Sequence, residues 1–146
     1  MRAILIDAEN RDIREIEYKT FEELKKIMGI EWAQAVNCLP KRHACYIDEE
    51  GLLNNPQHFF IIDGYPQPLA GNGAIVGTNN HGDDTNCKLD LDFIQQRVHF
   101  LSLKDVQAGI RMGIVDYGTY ITTSKGTEKI SEITLNAFEE KKSCSQ

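Results

Sequence analysis

The apolar runs of this chain are short, and each is cut off by a turn former. "RAILID", "HACYID", "HFFIID", "GAIVGT" and "RVHFL" all read as strands, bounded within a few residues by Gly, Pro, Asn or Asp. A parallel pair needs a crossover of roughly a dozen residues or more, and most of these connections are shorter. The expected fold class is therefore α+β: a mainly antiparallel β-sheet with two or three short α-helices in a single domain. The expected domain spans residues 1–140, and the polar "KKSCSQ" at 141–146 reads as a flexible tail.

Local signals place the elements. "RAILID", the turn "AENRD" and "IREIEYK" predict an opening hairpin. Thr20 with Glu23 three residues on predicts a capped helix that stops at Gly29, with Phe21, Leu24, Ile27 and Met28 on one face. "EWAQAVNCL" predicts a third strand, "DEEG" a tight reversal and "DLDFIQQ" a helical turn. Ser102 with Asp105 predicts a second capping box, opening a helix that ends near Gly113, and "YGTYITT" predicts a later strand. No internal repeat is present.

Composition narrows the partners. With 16 Lys+Arg against 22 Asp+Glu the net charge is -6, which opposes general affinity for a nucleic-acid backbone or an anionic membrane surface. Cys38, Cys45, Cys87 and Cys144 show no zinc-ligand spacing and are expected as reduced thiols in a cytosol. The N-terminus becomes charged after six residues, so neither a signal peptide nor a membrane span is expected there, and the protein is expected to work where it is made.

"YPQPLAGNGAIVGTNN", Tyr65 to Asn80, raises the question of a phosphate-cradling loop. Such a loop follows a strand and opens a helix, whose N-terminus supplies amides and dipole. Here Gly71 and Gly73 precede a β-type run, so the order is wrong. Pro66 and Pro68 stiffen a turn in which the glycines supply positive φ, and either X-Pro bond is open to cis or trans. "GTNNHGDDTN" lacks the EF-hand ligand order and reads as a solvated hairpin tip. No Walker, Gly-x-Ser-x-Gly or His-Glu-x-x-His motif occurs, and no cofactor is expected. His43 and Cys45 share a strand face, yet no third group or thiol-activating environment is legible for a nucleophile.

"CYIDEEGLLNN" at 45–55, followed by "GYPQPLAGNGAIVGT" at 64–78, resembles the core of a family of small phage and prophage α+β proteins that includes the type one Thoeris anti-defence sponges. The resemblance implies a non-enzymatic protein of the host bacterial cytoplasm. Such a protein binds a cyclic nucleotide immune signal of the glycocyclic ADP-ribose type, and in some members cyclic oligonucleotides, without cleaving it. It also implies a homodimer or higher homo-oligomer.

A sponge of this kind needs aromatic faces for a base, Arg or amide donors for phosphates, and polar groups for ribose. The candidate ligand-binding residues are Phe59, Phe60, Tyr65, Asn79, Asn80, Arg97, His99, Phe100 and Arg111. Arg97 and His99 are expected on one face of "RVHFL", opposite Val98 and Phe100. Each candidate also has a plainer reading: the phenylalanines as core, His99 as a solvated strand residue, and Arg111 as a complement to a helix dipole. Two other functions stay open. One is an acidic protein-binding inhibitor of a host defence protein; the other is a cyclic-nucleotide phosphodiesterase.

Overall fold

The computed structural model describes residues 1–115, and beyond them the backbone of 120–123 and 126–129. Strands β1 (Arg2–Asp7) and β2 (Asp12–Glu17) form the opening hairpin, in register from Arg2 opposite Glu17 to Asp7 opposite Asp12. Helix α1 (Phe21–Met28) follows, its first turn capped by the Thr20 hydroxyl, which accepts the Glu23 N–H, and its last by Gly29 in the left-handed region. Leu24 and Met28 are buried, whereas Phe21 and Ile27 lie at the exposed margin of the predicted face. Eight residues present only a narrow stripe, and Phe21 instead meets the Tyr46 ring edge-on at 5.2 Å.

Then come β3 (Ala33–Val36), β4 (His43–Asp48), a 3-10 turn (Gly51–Leu53), β5 (His58–Ile62), β6 (Leu69–Ala70), β7 (Gly73–Thr78) and β8 (Asp84–Thr85). Helix α2 (Leu91–Gln95), β9 (Val98–Ser102) and α3 (Leu103–Arg111) close the main body. The Ser102–Asp105 capping box forms as predicted at the start of α3, and Gly113 lies beyond its end at φ +75°. β10 (Tyr120–Thr123) and β11 (Gly126–Lys129) pair as a hairpin. The predicted strand at 117–123 is described only from Tyr120, and the predicted tail at 141–146 lies outside the described residues.

The fold is α+β with antiparallel pairing, as the short connections require, but the strands divide between sheets. The main sheet runs β2-β1-β7-β4-β3, with β8 added to the end of β7 at Gly77 and Thr78. A smaller sheet runs β6-β5-β9. One face of the main sheet, through Ala3, Leu5, Ala44, Ala74 and Val76, is covered by Leu24 and Met28 of α1. The other face, through Ile4, Ile6, Cys45, Ile47 and Ile75, packs on Phe60, Ile62 and Val98 of the smaller sheet and on Ile94 of α2. The far side of the smaller sheet buries Phe59 against Leu103 and Val106 of α3. β6 and β8 are two-residue pairings that no periodicity announces.

β7 is buried along nearly its whole length, and its first residue sets the distance between the sheets. A Cβ placed on Gly73 would lie 2.7 Å from Cζ of Phe60 and 3.3 Å from the Cys45 sulfur. Gly73→Ala is expected to cost about 1–3 kcal/mol by overpacking this contact. A lowered urea midpoint at unchanged m-value checks it; a midpoint equal to wild type shows that the sheets separate freely there.

Candidate functional site

Two loops shape the concave side of the molecule. At the end of β4, Asp48 Oδ1 accepts the Glu50 N–H at 3.0 Å, an Asx turn that starts the reversal, and Oδ2 accepts the Asn54 amide at 3.4 Å. Gly51 must be glycine because a Cβ there would stand 2.8 Å from the Ala70 carbonyl oxygen. Asn55 follows in the left-handed region at φ +49°, and the Gln57 amide donates to the carbonyls of Asn55 and Pro56, each at 3.2 Å.

The second loop, after β5, contains no cis peptide bond. The Gly71 N–H donates to His58 O, and Gly71 turns the chain at φ +85°. Asn72, the middle residue of the Gly-x-Gly, is a clamp: its Oδ1 accepts the Ala8 N–H at 2.9 Å and its Nδ2 donates to Met28 O at 3.2 Å. It thereby ties the end of β1 to the C-terminal end of α1. The segment is a turn that enters β7, consistent with its order in the sequence.

Between these loops lie adjoining concavities. The largest, about 490 Å³, has Glu9, Gly29, Asp48, Asn54, Gln57 and Asn72 among its lining residues. A smaller one, about 260 Å³, has Ile47, Leu52 and Leu69 in its apolar wall, with Gln34, Tyr65 and Gln67 beside them. Asp48 and Ala70 line both. A third, about 350 Å³, adjoins the first at Gly29, Ile30, Asp48 and Asn54, and adds Lys26, Glu31 and Glu50. Carboxylates dominate the charge: Glu9, Glu31, Asp48, Glu49 and Glu50 face these spaces, with Lys26 as the lining ammonium.

The residues named from sequence fall mostly elsewhere. Phe59 and Phe60 have no exposed surface: Phe59 packs towards α3 and Phe60 lies under Gly73, so in this fold they are core and not stacking platforms. Tyr65 is half-buried and lines the smaller concavity. Asn79 Oδ1 accepts the N–H groups of His81 and Asp83, which makes it the organiser of the predicted hairpin tip, and Asn80 is exposed beside it. The Arg97 guanidinium stacks 3.5 Å from the Phe93 ring centroid and donates to Phe93 O at 3.0 Å, so it is already engaged. Arg97 precedes β9; within β9 the predicted alternation holds, with Val98 buried, His99 exposed opposite Ile61 and Phe100 packed on the core. Arg111 is exposed at the end of α3. Of the named set, Tyr65 alone reaches a described concavity, while the lining carboxamides of Asn54, Asn55, Gln57 and Asn72 were not among the candidates. Of these, Asn54, Asn55 and Asn72 lie inside the two resemblance segments, and Gln57 lies between them.

A polar cluster on the α1 side of the main sheet also escaped the sequence. Asp84 of β8 accepts the Tyr46 hydroxyl at 2.7 Å on Oδ1 and the Tyr18 hydroxyl at 3.1 Å on Oδ2. Burial, and after it the neighbouring Asp84 carboxylate, raises both phenols above their ordinary value. The Cys45 thiol is fully buried and burial pushes it up, so it stays protonated, while the His43 ring accepts the Lys88 N–H at 3.1 Å. This pair lacks an accessible thiolate.

Fold and site together define a small α+β protein of antiparallel sheets whose concave side is carboxamide-rich and acidic. Over residues 1–100 the chain matches the family described as Domain of unknown function (DUF3846), and it belongs to that family. The matched span runs from β1 into β9 and contains both loops. No curated protein and no solved structure matches. Among the described residues no helix is long and apolar enough to cross a membrane.

The tyrosine cluster has a definite pH signature. Its folded-state phenol pKa values are raised above the ordinary 10.0, so its contribution to stability is complete below about pH 10 and declines as pH rises beyond it. Asp84→Asn is expected to lower unfolding free energy by about 1–3 kcal/mol and to move the late, high-pH part of the tyrosine absorbance titration to lower pH. An unchanged late phase would separate Asp84 from both hydroxyls.

Proposed function

We propose that this protein sequesters a cyclic nucleotide immune signal and holds it intact, as its resemblance to the Thoeris anti-defence sponges implies. The supporting observation is convergence: segments 45–55 and 64–78, which carry the resemblance, supply most of the lining of the smaller concavity. Its chemistry suits a nucleobase. Ile47, Leu52 and Leu69 offer an apolar surface, Tyr65 an aromatic one, and Gln34 and Gln67 carboxamides of the kind that meet a base edge.

The acids decide the orientation. Asp48 and Glu49 oppose a diphosphate inside the concavity, so the base enters and the phosphates remain at the mouth, towards water or a second copy of the chain. Homo-oligomerisation and action in a host bacterial cytoplasm belong to the same proposal.

Mass spectrometry of small molecules released by heating, after incubation with cyclic ADP-ribose isomers and cyclic oligonucleotides, tests it. Intact ligand is the expected result. Cleaved product would replace sequestration by phosphodiesterase action. An empty release would move support to an acidic protein-binding inhibitor, which the carboxylates around the concavities favour. Tyr65→Ala is expected to weaken binding about five- to a hundredfold, from the roughly 1–3 kcal/mol of one stacked base. Equal affinity in titration calorimetry would remove the smaller concavity from the reading.

A further inference from the structure

The main sheet ends in two unlike edges. β2 carries Asp12, Arg14, Glu15 and Glu17 among its six residues, the charged kind of edge that discourages a further strand. β3, at the opposite edge, reads Ala-Gln-Ala-Val from Ala33 to Val36 and carries no charge. Among the described residues no strand pairs with its outer side. Gln34 and Ala35 are exposed there, and Trp32, the single tryptophan of the chain, is 58% exposed just before the strand.

The backbone of this edge is set for pairing. The Trp32 carbonyl accepts the Glu49 N–H at 2.9 Å, so Trp32 turns its carbonyl towards β4. Backbone groups of successive strand residues alternate in direction, which turns the N–H and C=O of Ala33 and Ala35 to the open side. The two ends of the edge differ in charge. Glu31, Glu49 and Glu50 are exposed at its start. Lys41 and Arg42 are exposed in the loop that follows its end, and the Lys88 N–H donates to the His43 ring beside that loop. A strand that fits this edge antiparallel therefore brings cations to the first end and anions to the second, and β3 itself has that polarity.

We propose that β3 pairs antiparallel with β3 of a second copy across a two-fold axis, joining two main sheets into one. A two-fold perpendicular to the sheet keeps each side chain on its own face, so one residue stands opposite its own copy. Centred on Gln34, the pairing sets Ala33 opposite Ala35, which exchange their outward backbone hydrogen bonds, and Trp32 opposite Val36. Centred on Ala35, it would carry Trp32 past the end of the facing strand. In the Gln34 register Glu31 of each copy lies opposite Asn37 of the other, on the way to its Lys41 and Arg42. The pairing names a surface for the homo-oligomer of the sequestration reading, but it rests on the strand edge alone and needs no nucleotide.

Sedimentation velocity of the ligand-free full chain over a concentration series tests the proposal, with Trp32 emission read on the same samples. A dimer that weakens with salt is expected, and Trp32 emission should move to shorter wavelength as it forms. Gln34→Lys and Gln34→Glu each set like charges face to face at the axis and should raise the dissociation constant about tenfold or more. Gln34 is exposed, so both variants keep the fold. Mixing the two variants should restore a dimer, because a register centred on Gln34 sets the altered positions opposite each other with opposite charge. A monomer at every concentration, a dimer indifferent to both substitutions, or a mixture that stays monomeric would overturn the pairing. Since no nucleotide is present, this result is separate from that of the heat-release measurement, and an empty release leaves the dimer standing.

Discussion

The contact between Phe60 and the bare backbone of Gly73 is the constraint on which the molecule depends. It lets the smaller sheet close on the main one at a point where any side chain would hold them apart. The common core of Ile4, Ile6, Cys45, Ile75, Phe60 and Ile62 follows from that approach. So does the site, because the loops that line it are the connections around β5, β6 and the start of β7. Dense packing of this kind positions loops better than the loops could position themselves.

Around that core, polar side chains serve as fasteners. Asn72 joins β1 to the end of α1, Asp48 starts the reversal after β4, and Asp84 draws two tyrosine hydroxyls onto β8. Each fastener commits part of a side chain's hydrogen-bonding capacity to the protein. On the concave side some of the amide N–H groups are bound in this way, beside the lining carboxylates. Its electrostatics are therefore set by architecture as much as by composition.

The arginines illustrate the same economy. Arg97 had the chemistry for phosphate, yet its guanidinium lies over Phe93 and on the carbonyl of the same residue. That arrangement ties the last turn of α2 to the start of β9, and Arg97 lines none of the described concavities. Phosphate contacts in the sequestration proposal therefore fall to water or to another copy of the chain.

The sequence by itself determined the elements and their class. Capping pairs at Thr20 and Ser102, glycines at 29, 71 and 113, and period-two runs such as "HACYID" each act within a few residues, so local chemistry suffices to place them. Short connections likewise determined antiparallel pairing. Only the tertiary structure decided that β7 lies between β1 and β4, that the strands divide into stacked sheets, and that Phe59 and Phe60 are core. Period-two alternation says which side chains share a face but not which strand is the neighbour. For the same reason Tyr65, named from the sequence, and Asn72, not named, both come to line concavities only in the fold: the Asn72 side chain is held by Ala8 and Met28, partners distant in the chain that no local pattern announces.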